Sequence, residues 1–303
     1  MKALLVAALA ACGHGAADSN VVVPAEHVIY EFAGDATGIA WSDKGDPTNQ
    51  IRYRELGGEP IHVASIDAAM EPIAIDHEFV YWTKSDLKAA AAGSEVWRWS
   101  RTQHTAERLA HVAGMGRALL VRPDALWIGT SVGAFELPRG PGTPAQRFTL
   151  HDEEWLDNFV LIDDRVAVVT KTKAEGTAVY VAGTDAPIIT APWPPFAAVS
   201  DGHTVYLSDS NPQASSRSTI WSATAGHPLV AVPDWSQKRG VLILVGADEH
   251  GLYLADDRGT WLRSPTGDMR KLGRRVMHGA LDHGLVYGTA TNEELEMMLV
   301  QER

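Results

Sequence analysis

Asp76-His77-Glu78-Phe79-Val80-Tyr81-Trp82-Thr83 is the stretch that decides how this chain is read. An acid-led turn runs straight into β-branched and aromatic residues, the composition of a half-buried strand. Pro72 to Asp76 reads as a strand before it, and Val96 to Trp99 and Glu107 to Val112 read as two more after it. The unit is therefore four short strands joined by turns. Working outward, the same strand, usually ending in an aromatic, recurs as Ile39-Ala40-Trp41, Ala125-Leu126-Trp127, Val166-Ala167-Val168, Thr204-Val205-Tyr206, Gly251-Leu252-Tyr253 and Leu285-Val286-Tyr287. Its last residues fall at 41, 82, 127, 168, 206, 253 and 287, a mean spacing of 41.

A period near 40 built from short strands is the mark of a β-propeller, in which each repeat is one four-stranded sheet. Helix-pair solenoids share the period but need sustained 3.6-residue periodicity, which is missing here. Third strands are read at Ile51 to Arg54, Ala134 to Leu137, Ala178 to Val181, Ile220 to Ala223 and Thr260 to Arg263. Fourth strands are read at Pro60 to Ala64, Gln146 to Leu150, Pro187 to Ala191, Pro228 to Val232 and Met269 to Leu272. The expectation is an all-β, seven-bladed propeller over 26–303. Six or eight blades stay open, because Val168 stands where other units have an aromatic. The last unit lacks a fourth strand, which Glu26 to Phe32 is expected to supply, so that an N-terminal strand closes the ring. Lys88 to Gly93 suggests a helical turn. Glu293 to Arg303 suggests an amphipathic helix, unless Leu295 to Val300 is the last third strand.

Composition bounds the function. The chain has 303 residues, 45% hydrophobic and 21% charged, enough apolar material for a large core. Its net charge of −12 disfavours nucleic acid and anionic lipid surfaces. A single cysteine rules out an intrachain disulfide and any multi-cysteine metal site.

That cysteine is Cys12. Met1-Lys2 precedes nine apolar residues, Ala3 to Ala11, which as a helix reach about 14 Å, less than half a bilayer core. A basic start, a short apolar run and small residues make an export signal. Leu9-Ala10-Ala11-Cys12 resembles the lipobox of bacterial lipoproteins, which implies acylation (palmitate among the chains) of Cys12 after removal of 1–11. Residues 12–25 then read as the lipidated cysteine and a tether. Gly13 in place of Asp implies, by the same resemblance, the outer membrane of a Gram-negative cell.

The acidic turns Asp76-His77, Asp163-Asp164, Asp201-Gly202-His203, Asp248-Glu249-His250 and Asp282-His283 tempt a metal reading. Equivalent turns of different blades cannot converge on one ion, so they read as structural turns, with no metal and no cofactor. Ligand-binding candidates come from three Trp-bearing segments expected to be neighbouring loops at the channel mouth. They are His151 to Asn158, carrying Asp152, Trp155, Asp157 and Asn158; Pro192 to Phe196, carrying Trp193; and Pro233 to Arg239, carrying Asp234 and Trp235. Trp beside carboxylates suits a sugar face, a cation or a peptide. The competing reading is that these indoles plug their own sheets. Trp41, Trp82, Trp97, Trp99, Trp127, Trp221 and Trp261 are expected to pack between blades.

With Asp76 to Thr83, Val96-Trp97-Arg98-Trp99 and Ile51-Arg52-Tyr53-Arg54, the chain resembles propeller lipoproteins of myxobacteria and their relatives. The functional expectation is a lipid-anchored, monomeric envelope module that binds a protein, peptide or glycan. The alternative is a propeller hydrolase or lyase acting on sugars or lactones, with Asp152, Glu153 or Asp157 as base and calcium as a helper. A purely structural scaffold is the third reading.

Overall fold

The structure is a computed structural model. It describes residues 20–23, 28–44, 48–66, 71–85, 93–139, 142–173, 176–209, 217–233, 235, 238–239, 242–273, 275–276, 278–282, 285–291 and 294–299. Cys12, Asp234 and the segment 86–92, where a helical turn is expected, lie outside them.

Strand β1 (Asn20–Val23) stands apart from the units that follow it. Sheet one is β2 (Ile29–Asp35), β3 (Gly38–Asp43), β4 (Asn49–Glu55) and β5 (Ile61–Ile66); sheet two is β6 (Ile73–Ile75), β7 (Phe79–Ser85), β8 (Ser94–Ser100) and β9 (Ala106–Val112). Sheet three is β10 (Gly116–Val121), β11 (Ala125–Thr130), β12 (Gly133–Pro138) and β13 (Ala145–Thr149). Sheet four is β14 (Glu154–Ile162), β15 (Arg165–Thr172), β16 (Thr177–Val181) and β17 (Ile189–Ala191). In sheet five, β18 (Pro195–Ser200), β19 (Val205–Asp209), β21 (Ile220–Ala223) and β22 (Val230–Ala231) pair in that order, while β20 (Arg217–Ser218) pairs with β23 (Lys238–Arg239) as a separate ribbon. Sheet six is β24 (Ile243–Asp248), β25 (Gly251–Asp256), β26 (Gly259–Arg263) and β27 (Met269–Gly273). β28 (His278–Asp282), β29 (Leu285–Thr291) and β30 (Glu294–Leu299) form a further sheet, which β1 completes by pairing antiparallel with β30.

Where the sequence suggests seven similar units, six sheets are thus self-contained and the last is shared between the two chain ends. The first strands of the sheets pack side by side in the order β2, β6, β10, β14, β18, β24, β28 and back to β2, so the ring closes on itself. This is the all-β propeller class.

Two expectations change. The strand that completes the last sheet is Asn20 to Val23, not Glu26 to Phe32. The β-branched run Val21-Val22-Val23 supplies it, inside the stretch read as tether. Glu26 to Phe32 overlaps β2, which sheet one needs as its own first strand. The C-terminal helix is also overturned in favour of the other reading, a last third strand: Glu294 to Leu299 is that strand, held on both sides by β29 and β1.

The core lies in the seams between neighbouring sheets. Tyr53, Val80, Trp82 and Trp99 fill the seam of sheets one and two; Tyr81, Leu109, Leu126 and Phe135 fill that of two and three. Trp127, Phe148, Phe159, Val168 and Tyr180 fill the seam of three and four. Gly116 shows how close that packing is, since a Cβ there would stand 2.2 Å from Thr83 Oγ1 of the adjacent sheet.

First strands share a second feature. The pairing register of β2, β10, β14, β18 and β24 shifts near each strand's start, as a β-bulge does. A bulge frees backbone N–H groups that must find acceptors. Ser42 Oγ accepts from Glu31 N at 3.2 Å, and Ser208 Oγ accepts from Ala197 N at 3.1 Å.

Candidate functional site

Three of the five acidic turns tie down their own backbone, while Asp282-His283 runs outside the described residues. Asp76 Oδ1 accepts from the backbone N–H of Glu78 and Phe79 at 2.8 and 2.9 Å, and its Oδ2 accepts from Tyr81 at 3.0 Å. Asp201 repeats this with His203 N, Thr204 N and the Tyr206 hydroxyl. Asp248 repeats it with His250 N and the Tyr253 hydroxyl. Each carboxylate thus ties a turn to the strand after it, five residues on. Burial first, and then the adjacent Asp, push the Tyr81, Tyr206 and Tyr253 phenols up, which keeps them donors. Among the described residues, the one trio of metal-capable side chains close together is Asp248, Glu249 and His250, and it lies within one such turn.

The three Trp-bearing segments meet different fates. His151 to Asn158 is expected as a loop, yet β14 begins at Glu154, so most of it is the start of a nine-residue strand. Leu156 and Phe159 face the seam with sheet three and Val160 and Ile162 the seam with sheet five, and pairing with β15 continues through a bulge between Leu156 and Asn158. On this strand Trp155 points out and is 45% exposed, while Leu156 beside it is buried. Trp155 lies opposite Lys171 of β15. Lys171 Nζ pairs with Asp157 Oδ1 at 2.6 Å, and Lys173 Nζ pairs with Glu153 Oε1 at 3.0 Å. Glu153 takes a left-handed backbone, φ 66°, and its carbonyl accepts from Lys173 N at 2.9 Å. Asp152 is exposed. Asn158 is a backbone brace: Oδ1 accepts from Phe159 N at 2.8 Å, and Nδ2 donates to Ala198 O of the next sheet at 3.3 Å.

Trp193 is half-buried against the apolar seam of sheets four and five, its ring 5.1 Å from that of Trp221. Trp235 is 3% exposed among Ile220, Val232, Leu242, Leu244, Leu252 and Leu254. It fills the core of sheets five and six, so a ligand cannot reach it in this arrangement. The structure therefore does not gather three exposed indoles at one mouth. Trp155 is the exposed one of the ten tryptophans.

Two residues passed over in the sequence stand out. Glu71, 3% exposed, accepts from Thr83 Oγ1 at 2.6 Å and Ser85 N at 2.8 Å, pinning the connection into sheet two. Glu31 sits at the β2 bulge, where burial pushes its carboxyl up to about 7. No sequence pattern marks either one, since burial of a lone acid follows from its neighbours in other sheets.

No protein-family model matches the chain, and no curated protein matches it either. Solved structures do. The β-propeller domain of the Trilobed protease from Pyrococcus furiosus, which has an open velcro topology, is 13% identical with a TM-score of 0.65, over 91% of this chain and 97% of that one. Pyrococcus horikoshii acylaminoacyl peptidase is 12% identical at TM-score 0.64, over 91% of this chain and 52% of that one. BamB from Moraxella catarrhalis is 11% identical at TM-score 0.59, over 92% of this chain and 85% of that one. At such identities the likeness is one of fold, and that fold, as in the first of these, is the β-propeller.

Proposed function

We propose that the chain is a lipid-anchored envelope module that binds a ligand through the rim of sheet four and performs no chemistry of its own. The observation that carries the binding role is Trp155: an exposed indole on a paired strand, in a protein whose other nine tryptophans are buried or half-buried. A rigid aromatic held by a sheet gives contact area at little cost in side-chain entropy. The carboxylates suggested as a hydrolytic base fare less well. Glu153 and Asp157 are each already engaged by a lysine rather than free to meet a substrate. The anchor rests on Leu9-Ala10-Ala11-Cys12, and acyl chains of that kind hold at about 0.8 kcal/mol per buried CH₂.

Replacing Cys12 by Ser tests the anchor. The native chain is expected in the membrane fraction and labelled by a palmitate analogue, the variant soluble and unlabelled. Equal fractionation of both would remove the anchor. Envelope glycan and protein pull-downs with the native chain and Trp155→Ala test the binding face. Capture that is indifferent to Trp155→Ala would remove it.

A further inference from the structure

We propose that the Trp155 face takes an uncharged carbohydrate, stacking a pyranose ring on the indole. This rests on the binding role just given and specifies its ligand. The sequence alone left sugar, cation and peptide open, because acids flank the tryptophan. The structure shows two of those acids, Glu153 and Asp157, already paired with lysines. Glu153 holds Lys173 at 3.0 Å, and Asp157 holds Lys171 at 2.6 Å. The indole thus sits between two ion pairs whose charges cancel, and Lys171 is its direct cross-strand neighbour.

Each ligand class meets this face differently. A cationic ligand over Trp155 would have to approach beside the Lys171 ammonium, with Glu153 and Asp157 already engaged by lysines. An anionic ligand would face a protein of net charge −12. A neutral polyol meets no such opposition. Its axial C–H groups lie against the ring face, while its hydroxyls donate to the carboxylates and accept from the ammonium groups of the two pairs. The pairs also hold their side chains in place beforehand, which lowers the ordering cost of binding.

The test uses the full chain, titrated calorimetrically with chitotriose, cellotriose and maltotriose, and separately with penta-lysine and a penta-glutamate peptide. At least one neutral trisaccharide is expected to bind in the millimolar to micromolar range, with little change between 50 and 500 mM salt. Trp155→Ala should weaken it tenfold or more, and Trp155→Phe should retain part of it. A folded Trp155→Ala, checked by circular dichroism, makes the loss attributable to the ring. Salt-sensitive binding of either peptide, lost in Trp155→Ala, would keep the binding face but overturn the carbohydrate. Failure of all three sugars with the peptides also silent would overturn both.

Discussion

The Arg101 guanidinium, at the end of sheet two's third strand, reaches across the seam to Asp35 of sheet one at 2.5 Å. It also donates to Asp76 O at 2.7 Å, to Thr37 Oγ1 at 2.6 Å and to the Tyr53 hydroxyl. Asp35 meanwhile accepts from the N–H groups of Thr37 and Gly38, closing its own turn. One buried cation thereby locks two turns and two sheets. Arg139 of sheet three makes the equivalent reach to Asp76 of sheet two, also at 2.5 Å.

Arg101→Ala is expected to destabilise the fold by about 3–5 kcal/mol, because it leaves the half-buried Asp35 carboxylate without its cation. The pH dependence has a definite sign. Burial raises the Asp35 pKa, but hydrogen bonds from Thr37 and Arg101 outweigh it and the net shift is down from 3.8. Its contribution is then fully present above the ordinary aspartate value and is lost as pH falls through the lower, folded value. Urea unfolding of both chains at pH 7 and through the acid range reads this. A native-like midpoint for Arg101→Ala would count against the lock.

Two of the three tryptophans expected at one mouth should part company on mutation. Trp235→Ala empties a site walled by Leu242, Leu244, Leu252 and Leu254 and should cost about 3–5 kcal/mol. Trp155→Ala removes a ring with its face in water and should stay within about 1 kcal/mol of the native chain. Chemical denaturation of the two variants side by side measures both. Equal losses would mean that Trp155 is packed rather than displayed.

That contrast also shows what the sequence could say. Strand positions were legible because most units repeat an acidic turn followed by an aromatic strand and two further short strands; Val96 to Trp99 and Glu107 to Val112 fall inside β8 and β9. The closing strand was not, because Val21 to Val23 pairs with β30, nearly 280 residues away, and no local pattern records such a partner. Likewise, exposure of Trp155 and burial of Trp235 depend on the neighbouring sheet, not on the acids and prolines around each indole. Lys171 and Lys173 went unnoticed as partners of Asp157 and Glu153 because only the β14–β15 register brings them together.

Glu31 should make stability fall with rising pH. Its carboxyl titrates at about 7 when folded against 4.5 as the ordinary value, from burial. Between those values the folded chain binds the proton that the unfolded chain has released, so stability drops across the interval and levels above it. Glu31→Gln removes the ionisable group and should raise stability by roughly 2–3 kcal/mol at pH 8 while leaving it near native at pH 4.5. Unfolding midpoints at the two pH values decide this. An equal effect at both would place the charge penalty elsewhere.

The seam of sheets four and five carries a second group whose contribution is lost as pH rises. Asp163 and Asp164 both take left-handed backbones, φ 49° and 64°, as a two-residue type I′ hairpin requires. Neither is a glycine, so the turn is strained and relies on its neighbours. Arg122 holds Asp164 from sheet three at 3.2 Å; His203 Nδ1 holds Asp163 Oδ1 from sheet five at 2.5 Å, beside the hydrogen bond from Asp163 N to Gly202 O at 2.7 Å. The Asp163 hydrogen bond, with its charge and that of Asp201, raises the His203 pKa above 6.5. The contribution of protonated His203 is therefore fully present below 6.5 and lost as pH rises through the folded value. Nuclear magnetic resonance titration of the native chain should find the His203 ring protonating above the free-imidazole value, and Asp163→Asn should bring it back down. Amide exchange at Asp163 should quicken on going from pH 6 to pH 8.5 by more than the intrinsic chemical rate, and the excess should vanish in His203→Gln. A His203 ring that titrates alike in the native chain and in Asp163→Asn would show that the pair does not hold this seam in solution.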